Sequence, residues 1–165
     1  MILADIATST WMVDPSKTTV TATAKMMSVA DVPATFDVLS GSVSIVDGTL
    51  ASVEVQADAA SYKSSIPKRN KDVTMQKGLL DAASYPTITF VASGGTEQQV
   101  GGEVTIKGKT VPLVFAVSDL NVGEDSASFV ATATLDRFSV GVSKSPAFVI
   151  GKDINVRVMV SANKQ

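Results

Sequence analysis

Residues 67–90 have the sequence PKRNKDVTMQKGLLDAASYPTITF, and their pattern differs from that of the rest of the chain. Pro67 suits the turn before a helix or the first helical position. A backbone N–H there would have no acceptor within the helix, so proline loses no hydrogen bond. Tyr85-Pro86 ends the pattern, because the residue before a proline avoids the helical conformation. Between them lies an apolar stripe at helical spacing, formed by Met75, Leu79, Leu80 and Ala83. The stretch therefore predicts one helix, followed by a strand from Thr87.

The remaining segments alternate apolar and polar residues, as β-strands with one buried face do. A composition rich in valine and threonine favours the same structure. The clearest case is the segment from Thr18 to Met27, whose apolar face comprises Val20, Ala22, Ala24 and Met26. Asp31-Val32-Pro33 is expected to interrupt the pattern before it resumes over 35–46. Turns are predicted at Asp47-Gly48, Gly94-Gly95 and Gly108.

About eight or nine strands result, mostly joined by short turns, with the helix in the one long crossover. Successive hairpins of this kind predict an all-β protein with an antiparallel sheet that is closed into a barrel or folded into a sandwich. The length of 165 residues fits a single domain over residues 1–165.

Composition excludes several classes of function. The formal net charge is −2, which predicts no basic field for nucleic acid or for an acidic membrane surface. With no cysteine and no histidine, we expect no disulfide, no thiolate or imidazole metal site and no catalytic Cys or His. No apolar run is long enough for a membrane helix. The N-terminal sequence lacks signal-peptide features, which favours a cytoplasmic protein, or a periplasmic or secreted one if a signal was removed.

The pattern alone does not decide between a filled barrel and one that contains a cavity. Small side chains on the inward faces favour a cavity; these are Ala22, Ala24, Ala57, Ala127, Ala131 and Ala133. Ordinary packing of those alanines against bulky partners is the alternative, and it would make the protein a structural or interaction module. An enzyme would need carboxylate pairs or a Lys-based site, for which Ser61-x-Lys63 and Ser143-Lys144-Ser145 are too short and too common to count.

Six segments follow one another along the chain as short motifs: Trp11–Ser16, Arg69-Asn70, Leu79-Leu80-Asp81, Tyr85–Phe90, Val100–Thr110 and Leu135–Gly141. In this order they resemble the YceI-like family of polyisoprenoid-binding proteins with a lipocalin-like barrel. Asn70 stands where that family usually has Asp, and Asp72 stands where a His would be expected. The resemblance implies a closed antiparallel barrel of about eight strands with an elongated apolar tunnel.

The resemblance also implies non-enzymatic binding of a polyisoprenoid, polyprenyl phosphate or other lipid, with no further cofactor and no metal. Its tunnel residues would be Trp11, Met26, Phe36, Val38, Ile45, Val55, Leu79, Leu80, Phe90, Phe115, Phe129, Leu135 and Val156. Arg69, Asn70 and Arg137 would meet the head group at the mouth, while Asp72 should point away from a phosphate or pair with a base.

Each of these roles has a structural alternative. Arg69 could be a solvated charge, Arg137 a fold-stabilising ion pair, and Trp11 a plug at one barrel end. Leu79 and Leu80 would form either a lid or a permanent seal. The expected partner is a hydrophobic small molecule and not nucleic acid. The family resemblance also implies a homodimer. The biological roles considered are carriage or storage of the ligand, and stress protection.

Overall fold

The computed structural model describes residues 8–27, 29–93, 98–144 and 150–164. The predicted turn at Gly94-Gly95 lies outside these residues. Within the described ranges the chain forms ten strands and one α-helix. They are β1 (Thr8–Val13), β2 (Thr19–Met26), β3 (Ala30–Phe36), β4 (Val38–Val46), β5 (Thr49–Asp58), α1 (Pro67–Met75), β6 (Thr87–Ser93), β7 (Gln99–Ile106), β8 (Lys109–Val122), β9 (Ser126–Asp136) and β10 (Asp153–Lys164).

The strands form one antiparallel sheet that closes on itself. β1 and β2 both pair with β10, with Trp11 opposite Lys164 and Val20 opposite Val158, so together they act as one bent strand. β3 and β4 form a second bent strand, because β4 pairs with β1 and β3 pairs with β2. The result is a closed eight-stranded barrel in which each strand neighbours the next along the chain, which confirms the predicted barrel.

The tight hairpins follow the predicted turn chemistry. Asp47 and Gly48 have φ values of 50° and 79°, and Lys107 and Gly108 have φ values of 54° and 73°. Two successive residues with positive φ define the turn whose twist matches that of the flanking strands. The turns predicted at Asp47-Gly48 and Gly108 are therefore confirmed.

The predicted break at Asp31-Val32-Pro33 is wrong, because these residues belong to β3. β3 pairs with β2 along its whole length, including Pro33 opposite Thr23. On its other side we find one isolated bridge among the described residues, between Thr35 and Lys63. Proline has no backbone N–H to donate to a neighbouring strand. It is tolerated at a sheet edge because no strand on that side needs this hydrogen bond.

The helix is shorter than predicted. α1 ends at Met75, and the chain continues as turns through Leu79 and Leu80. The backbone N–H groups of Ser143 and Lys144 both donate to the carbonyl oxygen of Gly78 at 3.0 Å. A distant loop therefore takes the carbonyl that a longer helix would have used, and the predicted stripe does not lie on one helix.

Candidate functional site

A cavity of about 430 Å³ occupies one end of the barrel, beneath α1. Its walls come from inward-facing side chains of β2, β3, β6 and β10, and the turn after α1 closes it from above. The apolar lining comprises Val20, Ala22, Ala24, Met26, Val32, Phe36, Ala57, Tyr62, Ile66, Val73, Leu79, Leu80, Ile88, Phe90, Ile106, Leu135, Val140, Val142, Ile150, Ile154 and Val156. Such a volume lies within the usual range for small-molecule sites, roughly 300–1,000 Å³.

Small side chains on β2 and β5 explain why this end of the barrel is not filled. Ala22, Ala24 and Ala57 line the cavity, as their alternation predicted. The other three predicted alanines do not. Ala131 lies further along the barrel axis beside a second pocket, Ala127 belongs to the packed core, and the half-buried Ala133 packs against that core. Alternation therefore identified the inward face but not the level of each residue along the barrel axis.

Phe90 forms the floor of the cavity and packs on Phe115, which lies below it. The rings of Phe90 and Phe115 pack edge to face, with centroids 6.1 Å apart and an interplanar angle of 74°. Phe90 lines the 430 Å³ cavity above and also a pocket of about 30 Å³ below, which Phe115 and Phe129 line as well. The aromatic pair therefore separates a large open chamber from a small, apolar, closely packed one.

The turn after α1 forms the roof. Leu79 and Leu80 line the cavity, and Leu80 is buried. The backbone N–H of Leu80 donates to the carbonyl of Val73 at 2.9 Å. The roof is anchored further by Lys107, whose Nζ donates to the carbonyls of Lys77 and Gly141. Whether the two leucines act as a lid or as a seal stays open.

Charged side chains cluster at the mouth, where Lys68, Arg69, Asp72 and Lys144 meet the apolar lining. Asp72 lines the mouth rather than turning away from it. Lys144 Nζ donates to the side-chain oxygen of Gln76, which joins the loop after β9 to the end of α1. Three of these four groups are basic, so the mouth is positively charged.

Asn70 is engaged in the fold of the loop before α1. Its Oδ1 accepts from the backbone N–H of Ser64 at 2.7 Å and from the Ser64 hydroxyl at 2.6 Å. Its amide donates to the Ser64 carbonyl at 3.3 Å. Asn70 does not line the cavity, so the structure assigns this predicted head-group residue to positioning α1.

Arg137 is buried, with 2 % of its surface exposed, and lies at the edge of the cavity. Its guanidinium donates at 2.8–3.0 Å to four backbone carbonyls, those of Val142, Lys144, Ile150 and Gly151. Burial lowers the pKa of Arg137, and the nearby carboxylate of Asp136 acts in the opposite direction. Arg137 thus holds the chain beside the mouth, and the predicted role at a head group is secondary to this structural one.

The predicted tunnel residues divide into three groups by their level in the barrel. Those that line the large cavity are Met26, Phe36, Leu79, Leu80, Phe90, Leu135 and Val156. Those that line the small pocket are Val55, Phe115 and Phe129, together with Phe90. Those that belong to the packed core and line neither are Trp11, Val38 and Ile45. The structure therefore does not extend the cavity along the whole barrel, as the predicted tunnel would require.

Trp11 lies in the core, with 1 % of its surface exposed. Its indole N–H donates to the hydroxyl of Ser9 at 2.8 Å, and Lys164 Nζ lies 6.0 Å from the ring centroid. This environment matches the predicted plug rather than a ligand contact.

Some lining residues were not predicted. Tyr62 lies between the end of β5 and α1, and its ring packs edge to face on Phe36, with the centroids 5.6 Å apart. Burial raises the pKa of Tyr62, while the positive charge of Arg69 lowers it. Val140 and Ile150 come from the connection between β9 and β10. These residues lie outside the alternating strands, so no sequence pattern marked them.

Two features are absent from the described residues, namely a membrane-spanning helix and a cluster of metal-binding side chains. No helix within the described ranges is long and apolar enough to cross a membrane. In the same part of the chain, no three acidic side chains come together in a way that would hold a metal ion.

A closed eight-stranded antiparallel barrel with an apolar chamber at one end belongs to the class of barrels whose interior can hold one small ligand. The YceI-like domain model matches residues 11–162 of this chain. The chain therefore belongs to the YceI-like domain family, as its motifs suggested.

Known relatives agree with this assignment. A UPF0312 protein of Vibrio cholerae is 29% identical over 102 residues, which are 56% of this chain and 53% of that protein. The chain thus spans about half the length of the curated relatives it matches. Among solved structures, Burkholderia cenocepacia BcnA has a TM-score of 0.77 at 21% identity, covering 91% of this chain and 99% of that one. A polyisoprenoid-binding domain from Saccharophagus degradans, implicated in plant cell wall breakdown, has a TM-score of 0.73 at 13% identity, covering 94% and 98%.

Proposed function

We propose that this protein binds one amphiphile of the polyisoprenoid or acyl type, with its tail in the 430 Å³ cavity and its head at the mouth. The observation that carries the proposal is the contrast between an almost wholly apolar chamber and a rim with Lys68, Arg69 and Lys144. The Saccharophagus degradans domain is a polyisoprenoid-binding domain, and its similar fold supports the same ligand class.

Tail burial supplies most of the binding free energy in this proposal. Each methylene that leaves water contributes about 0.8 kcal/mol, so affinity rises about fourfold for each added methylene until the chamber is full. The chamber offers the tail no strong polar partner. Tail volume, rather than tail chemistry, therefore governs selection.

The head group is anionic in this proposal, a phosphate or a carboxylate. Lys68, Arg69 and Lys144 provide the positive charge at the mouth, and Asp72 opposes it. Asp72→Asn should therefore strengthen the binding of an alkyl phosphate, and Arg69→Gln should weaken it, while both leave binding of the matching uncharged alcohol unchanged. Equal effects on the phosphate and on the alcohol would contradict an anionic head.

The proposed activity is binding without chemical conversion, which would suit carriage, storage or stress protection. The chain contains no histidine and no cysteine to serve as a catalytic base or nucleophile. A packed interaction module, the alternative from sequence, fits poorly with an open chamber at one barrel end. The homodimer and the cellular compartment remain predictions.

Native mass spectrometry of the purified protein, followed by organic extraction and lipid identification, tests this proposal. We expect a stoichiometric amphiphile on part of the protein, or a mass shift when prenyl phosphates or fatty acids are added. A clean apo mass that no such compound shifts or stabilises would refute the proposal.

A matched pair of variants on β2 makes this test specific to the cavity. Ala24 lines the cavity, whereas Thr23 belongs to the opposite face of the same strand. Ala24→Phe should fill the chamber and abolish the mass shift, and Thr23→Phe should leave it unchanged. Retained binding in Ala24→Phe, with the fold intact by circular dichroism, would assign the ligand to another site.

A further inference from the structure

The two ends of the barrel carry opposite charge. The cavity end holds eleven of the 14 basic side chains of the protein. These are Lys25, Lys63, Lys68, Arg69, Lys71, Lys77, Lys107, Lys109, Arg137, Lys144 and Lys152. Among the described residues, the acidic side chains at the same end number seven, namely Asp31, Asp37, Asp58, Asp72, Asp81, Asp136 and Asp153. The cavity end is therefore cationic.

The opposite end is acidic. The described residues there include the basic Lys17 and Lys164 and the acidic Asp14, Asp47, Asp119, Glu124 and Asp125. The overall charge of −2 thus averages two ends of opposite sign. Total charge carries no information about position, so the net charge of −2 does not describe the field at the cavity end.

Exposed apolar side chains accompany the basic ones. Met27 and Val29 lie at the turn between β2 and β3 and are 62% and 82% exposed. Ile66 and Met75 flank α1 at its two ends, and both are exposed. β2 ends at the cavity, since Met26 lines it. Exposed apolar residues and basic charge therefore share the end of the barrel at which the cavity opens.

We propose that this end docks on an anionic lipid surface. A basic cluster gains about 1 kcal/mol for each Lys or Arg held near such a surface, and apolar side chains beside it insert between the head groups. The acidic end then points to water, which fixes the orientation of the barrel. An apolar tail in this orientation passes between bilayer and chamber without crossing bulk water.

The cavity end includes exposed basic residues outside the cavity lining, so docking and cavity binding can be tested apart. Lys63 and Lys71 are exposed at the cavity end, and neither lines the cavity. Lys17 and Arg157 are equally exposed, one at the acidic end and one on the outer wall of β10. Reversing either pair to Glu changes the net charge by the same amount.

Vesicle sedimentation of the full chain tests the proposal. Vesicles of phosphatidylcholine mixed with phosphatidylglycerol should sediment the protein at low ionic strength, and pure phosphatidylcholine vesicles should not. Binding should weaken steeply with added salt, because surface charges are screened. Lys63→Glu/Lys71→Glu should lower the partition coefficient about tenfold or more, and Lys17→Glu/Arg157→Glu should leave it within about twofold.

A matched pair of valine variants tests the contribution of exposed apolar side chains to vesicle binding. Val29→Ser should reduce vesicle binding, whereas Val114→Ser, which alters an exposed valine on the outer wall of β8, should not.

Equal losses in the two charge-reversal variants would overturn the proposed orientation. Absence of vesicle binding by the wild-type protein at low salt would overturn docking itself, whatever the outcome of the ligand experiments.

Discussion

The ring of Phe115 packs edge to face on the ring of Phe90, and this contact divides the barrel interior into a large chamber and a small pocket. Phe90 lines both spaces, and Phe115 lines only the smaller one. The depth available to a ligand tail is therefore set by the Phe90–Phe115 pair rather than by the length of the barrel.

Phe115→Leu should lengthen the preferred tail of a bound amphiphile. Phe115 packs on the Phe90 ring, which borders both spaces, so its truncation should give that ring room to turn aside and let the chamber extend into the pocket below. In wild type, affinity for alkyl phosphates should rise with tail length and then level off. In the variant the plateau should move to a longer tail by a few methylenes, as measured by calorimetry across a chain-length series.

Phe129→Leu is the control for this experiment. Phe129 lines the small pocket as Phe115 does, but we find no ring contact between it and Phe90 in the described part of the chain, so its truncation should leave the plateau unchanged. Both variants should cost similar stability, about 1–2 kcal/mol. A plateau that stays at the wild-type length in Phe115→Leu would show that the aromatic pair does not limit tail length, while binding itself would still stand.

The sequence predicted the fold well because its main signal is local. Alternation with a period of two identifies the inward face of each strand, and Val20, Ala22, Ala24 and Met26 of β2 all line the cavity. Alternation does not report the level of a residue along the barrel axis, which depends on strand stagger. Phe115 and Phe129 were therefore assigned to the tunnel, although they lie below its floor.

The remaining errors come from contacts between distant parts of the chain. The helix appeared longer in sequence because nothing local shows that the Gly78 carbonyl accepts from the N–H groups of Ser143 and Lys144. Arg137 resembled a mouth residue because its four carbonyl partners come from a loop whose path the sequence does not specify.

Replacing Arg137 with lysine should destabilise the protein. Lysine keeps the charge but lacks the planar fork of donors that reaches four carbonyls at once. Leaving buried acceptors unpaired should cost about 2–4 kcal/mol, measured by urea unfolding. Arg157→Lys, on the exposed outer face of β10, should change stability by no more than about 0.5 kcal/mol. An equally small effect at both positions would refute the structural role of Arg137.

Substitution by alanine should destabilise the protein at Gly102 and have little effect at its neighbour Gly101. A Cβ added at Gly102 would lie 2.1 Å from the carbonyl oxygen of Val91 and 2.8 Å from the Cα of Ala92, whereas one added at Gly101 meets nothing within 4 Å. Because backbone atoms of β6 cannot yield as a flexible side chain would, Gly102→Ala should cost about 3 kcal/mol or more. Gly101→Ala should be within about 0.5 kcal/mol of wild type. Thermal unfolding of the two variants checks this, and similar midpoints would contradict the close packing of β6 on β7.

The ionisation of Tyr62 should report on Arg69 at the cavity mouth. Burial raises the pKa of Tyr62 above its usual value near 10, and the positive charge of Arg69 partly offsets this. In a Tyr85→Phe background Tyr62 is the remaining tyrosine, so ultraviolet absorbance follows its phenol alone. Arg69→Gln should raise the pKa further, and Lys71→Gln, which alters a residue outside the cavity lining, should not.

The raised pKa of Tyr62 predicts that the protein loses folding stability at alkaline pH. A folded-state pKa above the unfolded one means that the unfolded chain loses its phenol proton first as pH rises. The contribution of Tyr62 is therefore fully present below about pH 10 and is lost as pH climbs through the folded pKa. Tyr62→Phe should remove this part of the alkaline loss of stability in urea unfolding. An unchanged alkaline profile, or a phenol that titrates at or below its usual pKa, would mean that Tyr62 is not buried at the chamber wall.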